Sequence, residues 1–188
     1  MARLRKFSAY QTIERPYTRI SKYKKLSYVK ARPHLTIARF DQGNLNGKFD
    51  TILYLVSEVD RQARHNALES ARMTANRVLE PLGKNAYFLR LRKYPFHVLR
   101  ENAMATGAGA DRMSQGMARS FGKPTSMAAQ IFKGETVFEV RVQRKDIKAA
   151  KLALTRANKK LPCVCRIIEK RASQPTKKSV SAPVPEQK

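Results

Sequence analysis

Two stretches of strict alternation, "YFLRLRKY" at 87–94 and "ETVFEVRVQ" at 135–143, restrict what this chain can become more than any other feature. In the first, Tyr87, Leu89 and Leu91 alternate with Arg90 and Arg92. In the second, Phe138, Val140 and Val142 alternate with Glu139, Arg141 and Gln143. A period of two sends neighbouring side chains to opposite faces, so each stretch reads as a half-buried strand, the first with a cationic outer face. "TILYLV" at 51–56 is a further apolar run of strand length. Ser57 and Asp60 behind it have capping-box spacing, which predicts a helix from Glu58 to about Leu82. Val59, Ala63, Ala67, Ala71, Ala75, Val78 and Leu79 fall on one stripe of that helix, Arg61, Arg64, Arg72 and Arg77 lie largely off it, and Pro81 with Gly83 stops it. Asp146 is placed to cap a second helix, with Ile147, Ala150, Leu154, Ala157 and Leu161 at helical spacing before Pro162, and "CVCRII" closes the fold as a strand. The order is strand, helix, strand, long insertion, strand, helix, strand. It predicts an α+β fold: an α/β sandwich with helices packed on a mixed, largely antiparallel sheet, a long internal loop and an extended basic N-terminal arm. Residues 34–171 form the single domain in this reading, with the loop at 95–128.

The flanks differ from this core. Residues 1–32 hold ten Lys or Arg, one acid (Glu14) and the rings of Phe7, Tyr10, Tyr17, Tyr23 and Tyr28, without apolar periodicity. Such a segment lacks the apolar surface to order itself, yet its rings can stack and its cations can meet phosphates. Residues 1–33 therefore read as an RNA-binding arm, with Arg3, Arg5, Lys6, Arg15, Tyr17, Arg19, Lys22, Lys24 and Lys25 as its candidate contacts. Arg64, Arg90 and Arg92 are candidates on the core. Residues 172–188 combine proline, serine and charge and read as a disordered tail.

Across the whole chain 39 Lys and Arg face 14 Asp and Glu, a formal net charge of +25. Self-repulsion of that size calls for a polyanion, and nucleic acid fits. A membrane partner is not expected, because there is neither a bilayer-length apolar run nor a basic helix with a bulky apolar face. The N-terminus "MARLRKFSAY" has no apolar segment behind its basic residues, so a cytoplasmic protein is expected. Cys163 and Cys165, one residue apart on one strand, read as small core fillers. His34, His65 and His97 are too scattered for a zinc site, so neither a metal nor a cofactor is expected.

The insertion is the unusual part. "RENAMATGAGADRMSQGMARSFGKP" at 100–124 gathers four of the eight glycines: 107, 109, 116 and 122. It is not a nucleotide loop. Gly116 and Gly122 enclose five residues rather than four, Lys123 is followed by Pro124, and Arg112 stands where a dinucleotide fingerprint needs glycine. Ser114, His97 and Asp111 have the residue types of a hydrolytic triad, but no elbow positions the serine, so no catalytic residues are assigned. Asp111 is placed to cap a short helix in which Met113 and Met117 share a face while Arg112 and Arg119 project elsewhere. On the residues alone, a structural RNA-binding protein, a free nucleic-acid-packaging protein and an RNA-modifying enzyme all remain open.

Three segments, "RHNALESARMTAN" (64–76), "YPFHVLRENAMATGAGADRMSQGMARSFGKP" (94–124) and "KLPCVCRIIEK" (160–170), resemble the archaeal and eukaryotic large-subunit ribosomal protein ten-e family, counterpart of bacterial large-subunit ribosomal protein sixteen. "RPYTR" at 15–19 is similar as well. The resemblance implies a non-enzymatic structural protein of the large subunit, seated on its ribosomal RNA near the 5S RNA side and among neighbouring ribosomal proteins. It also implies an internal loop directed toward the peptidyl transferase region and the transfer RNA sites. Carried onto this chain, it makes Arg100, Asn102, Met104, Thr106, Arg112, Arg119 and Lys123 the candidates for RNA or transfer RNA proximity.

Overall fold

A computed structural model of the chain describes residues 4–13, 23–26, 29, 32–105, 107–113, 116–118 and 120–171. The described strands are β1 (Asp41–Gly43), β2 (Thr51–Ser57), β3 (Arg61–Arg64), β4 (Tyr87–Leu91), β5 (His97–Glu101), β6 (Lys123–Ile131), β7 (Thr136–Val142) and β8 (Cys165–Arg171). The α-helices are α1 (His65–Leu79), α2 (Ala110–Met113) and α3 (Ile147–Asn158). One sheet has the order β1-β4-β7-β2-β8 and the other β3-β6-β5. The fold is α+β as expected, and every described strand pairing is antiparallel.

Register explains the core. Leu53 and Leu89 both lie opposite Val140, Leu55 and Leu91 both lie opposite Phe138, and Tyr87 lies opposite Val142. One face of the large sheet is therefore continuously apolar, and α1 and α3 pack against each other over it. Their buried stripes are rich in alanine (Ala71 and Ala75 on α1; Ala150, Ala153 and Ala157 on α3), which lets the axes approach closely, while Leu68, Leu79 and Leu154 fill the remaining space. Burying each of these large side chains contributes about 1.5–3 kcal/mol.

The expected helix from 58 to 82 is divided. Residues 61–64 are a strand because Arg61, Gln62, Ala63 and Arg64 pair with Ile131, Gln130, Ala129 and Ala128, and helix begins only at His65. Ser57 and Asp60 form no capping box. Ser57 Oγ donates to the Val59 carbonyl at 2.8 Å, and Asp60 Oδ1 accepts the Lys133 N–H at 2.6 Å. Val59 is exposed in the turn between the strands. Arg72, expected off the apolar stripe, is buried and held by Glu69, whose Oε2 accepts from Nε at 2.8 Å. That bond keeps the Glu69 carboxyl below its usual range.

Glu139, expected on an open face, is 1% exposed. It accepts from Arg92 Nη1 at 2.9 Å and Arg141 Nε at 2.7 Å. Asp146 does stand at the N-cap of α3, but its side chain makes no capping bond. Cys163 precedes β8 instead of belonging to it, and both cysteines are free, with sulfurs 3.4 Å apart.

His65 ties α1 to the small sheet. Its Nδ1 accepts the Thr36 N–H at 3.1 Å, which leaves the proton on Nε2, 2.8 Å from Ser126 Oγ of β6. Burial first, then the nearby charges of His34 and Arg64, hold its pKa below the ordinary 6.5. The unfolded chain therefore takes up this proton before the folded one does, and stability falls as pH drops through about 6.5. Going from about pH 7.5 to about 5.5 should therefore lower stability through this residue. Thermal melts of the parent and His65→Gln across that range check it, together with an NMR titration of His65, whose midpoint should lie below 6.5. A midpoint at or above the ordinary value would contradict the burial argument.

Candidate nucleic-acid interface

The long insertion is largely a hairpin. β5 and β6 pair from His97 opposite Ala128 to Glu101 opposite Lys123, so the span 102–122 projects from the end of a two-stranded stem. The ladder shifts register between Leu99 and Arg100, across from Pro124, which has no N–H to give. Thr125 Oγ1 donates to the Leu99 carbonyl there at 3.2 Å.

At the root of the projection the N-terminal segment closes on the stem. Tyr10 is buried, its hydroxyl donates to Glu101 Oε1, and Arg5 Nε donates to Glu101 Oε2 at 2.9 Å. Gln62 grips the same segment twice, through Nε2 to the Tyr10 carbonyl at 2.9 Å and through its N–H to the Gln11 carbonyl at 3.0 Å. The expectation that residues 1–32 lack the apolar surface to order themselves thus fails for residues 4–13, where Tyr10 and Arg5 reach the buried Glu101 carboxylate and Gln62 holds the backbone. Burial, then the bond to Glu101, raises the Tyr10 phenol above its usual 10.0.

Beyond the root several of the described side chains face outward. Met104, Met117 and Phe121 are exposed, Phe121 at 73%, and the Arg100 guanidinium lies 4.7 Å from the Phe121 ring centre. Asn102 Nδ2 donates to the Gly116 carbonyl at 3.3 Å, bracing the two arms of the loop. Two glycines have separate reasons. Gly109 takes φ 77° in open space, whereas at Gly122 a Cβ would stand 2.8 Å from the Glu101 backbone. The expected helix carrying both Met113 and Met117 is shorter than supposed: α2 ends at Met113, Asp111 lies inside it, and Met117 follows in a turn. A cavity of about 470 Å³ sits at this root, lined by Arg5, Tyr10, Arg100, Asn102, Met117 and Phe121 among others.

The predicted contacts separate into two groups. Arg5, Lys6, Arg64, Arg100, Asn102, Met104, Arg112 and Lys123 belong to the small sheet, its loop and the segment docked on it. Arg64 lies 5.9 Å from the Tyr10 ring, and Arg112 and Lys123 are exposed. Arg90 and Arg92 lie on or just beyond β4, on the large sheet. There Arg90 pairs with Asp41 at 2.6 Å and stacks 5.1 Å from Phe88, and Arg92 pairs with Glu139. Lys25 is exposed in a short 3-10 turn. Arg3, Arg15, Tyr17, Arg19, Lys22, Thr106 and Arg119 lie outside the described residues, as do the side chain of Lys24 and the tail 172–188. Phe121 was missed from sequence, although an aromatic residue among glycines and cations was a signal to follow.

The family model described as ribosomal protein L16p/L10e matches residues 16–168. The chain belongs to this family. Three proteins named large ribosomal subunit protein uL16 illustrate the likeness. The one from Staphylothermus marinus is 45% identical over 159 residues, covering 83% of this chain and 91% of its own. That from Thermofilum pendens is 46% identical over 158 residues, 84% and 90%. That from Picrophilus torridus is 42% identical over 165 residues, 86% and 94%. The L16p/L10e match contains the whole hairpin and its loop, whereas Arg5 and Tyr10, which hold Glu101, precede it.

Tyr10→Phe removes one donor from a buried carboxylate and should cost about 1–2 kcal/mol. It should also speed proteolysis between residues 4 and 13. An unchanged melting temperature and cleavage rate would show that Tyr10 does not hold the stem.

Proposed function

We propose that this chain is a structural constituent of the large ribosomal subunit, without chemistry of its own, that sits in the cytoplasm on large-subunit ribosomal RNA beside other ribosomal proteins. Its projecting loop, 102–122, reaches toward the peptidyl transferase and transfer RNA sites, with the 5S RNA side nearby, and helps hold RNA that positions the acceptor end of transfer RNA. The observation that carries this reading is the clamped hairpin: a stem locked at Glu101 that presents Met104, Met117, Phe121 and Arg112 to the outside. A rigid root with a slender cationic tip suits entry into crowded RNA, where phosphates are met by charge and clearance is scarce. Family membership favours this reading over a free packaging protein or an RNA-modifying enzyme. Among the described residues no helix is long and apolar enough to cross a membrane.

Arg112→Ala combined with Arg119→Ala should leave the fold intact while slowing subunit maturation or translation. Sedimentation profiles and growth rates measure this. Normal profiles and growth would contradict a role for the loop cations, and a parent chain found only in free fractions would contradict the proposal as a whole.

A further inference from the structure

The outer face of the large sheet, turned away from α1 and α3, carries a groove that the loop reading leaves without a role. Its floor is Tyr54, half-buried on β2, next to Ile168 on the edge strand β8. The Lys170 ammonium stands 5.8 Å from the Tyr54 ring centre. Arg166 and Arg92 are exposed on the walls, and Lys93 joins them from the turn after β4. The groove encloses about 560 Å³ and is open to solvent. One carboxylate lines it, Glu135, and Lys93 neutralises it.

We propose that this groove binds ribosomal RNA by stacking one unpaired base on Tyr54 while Arg166, Lys170 and Arg92 meet the flanking phosphates. The inference rests on the large-subunit reading and adds to it a second contact surface on a different sheet from the loop. An acidic peptide would satisfy the cations but leave the ring unused, and a base-paired duplex keeps its base faces stacked within itself. A splayed nucleotide uses both features. Base stacking on an aromatic ring tolerates any base and gains from an adjacent cation, and Lys170 already stands beside this one. The neighbouring side chains are prepared for a fixed surface: Glu139 holds Arg92 and Arg141, and Arg141 and Arg90 each lie 5.1 Å from the Phe88 ring centre. The Arg90 and Arg141 guanidinium groups are therefore held against the sheet, while Arg92, exposed though paired with Glu139, lines the groove.

The test uses the full chain and purified large-subunit RNA. Tyr54→Ala, and separately Arg166→Glu with Lys170→Glu, should weaken binding by about fivefold or more, while Tyr54→Phe, which keeps the ring, should stay within about twofold. Melting temperatures should barely move, since these side chains lie outside the core. The charge-reversal pair carries the test if Tyr54→Ala fails to fold. A photoreactive p-benzoylphenylalanine in place of Tyr54 should crosslink to RNA in assembled subunits. If the parent binds and assembles but the variants bind equally well, or the crosslink reaches only protein or nothing, the groove is not an RNA site, and the large-subunit reading stands. If the parent itself ignores the RNA and stays out of the subunit, both readings fall together.

Discussion

With 39 Lys and Arg against 14 Asp and Glu, the cations of this chain repel one another strongly, and its carboxylates stand where they constrain that repulsion most. Glu139 and Glu101 are buried, yet each is gripped by arginines that keep a face in water: Arg92 and Arg141 on the first, Arg5 on the second, with side-chain exposures of 49%, 35% and 59%. A buried carboxylate without its partner costs several kcal/mol, so each acid fixes the direction of the cations around it. Glu69 does the same for Arg72 within α1, and Asp41 for Arg90 across the sheet edge. The positive charge is not neutralised by these contacts. It is oriented.

That orientation depends on a scaffold rigid enough to hold it, which the alanine-rich helices and the apolar face of the large sheet supply. The small sheet then extends the scaffold in one direction, with α1 following β3 directly and His65 bridging to Ser126 on β6. From that sheet the β5–β6 hairpin runs out to the loop, locked at its root by Tyr10 and Glu101. A core of ordinary size can thereby present one slender cationic projection and one broad basic face without burying either.

Much of this was readable from the residues. Alternation located β4 and β7, an apolar run located β2, and helical spacing located α3, because in each case the apolar residues alone decide the structure. What failed shares a different cause. "RQAR" at 61–64 has no strand signal, and it becomes β3 only because Ala128–Ile131 and the Gln11 carbonyl supply its partners from far along the chain. β5 and β6 were hidden inside what read as one long loop, since "HVLRE" is too short to show a period and "KPTSMAAQI" begins with residues typical of turns. Glu139 looked like a solvent-facing residue of its strand until two arginines closed over it. The loop was legible as unusual and basic, but its anchoring was not, because nothing local to Tyr10 points to Glu101. Its proximity to RNA came from family resemblance rather than from spacing.

The most direct test of the claim that these cations are arranged for a polyphosphate partner is the salt dependence of binding between the intact chain and large-subunit RNA. Each phosphate contact releases a counterion, so log K should fall linearly with log salt, with a slope steeper than about −4 if several cations engage at once. Binding that is absent, or whose slope lies near zero, would contradict it.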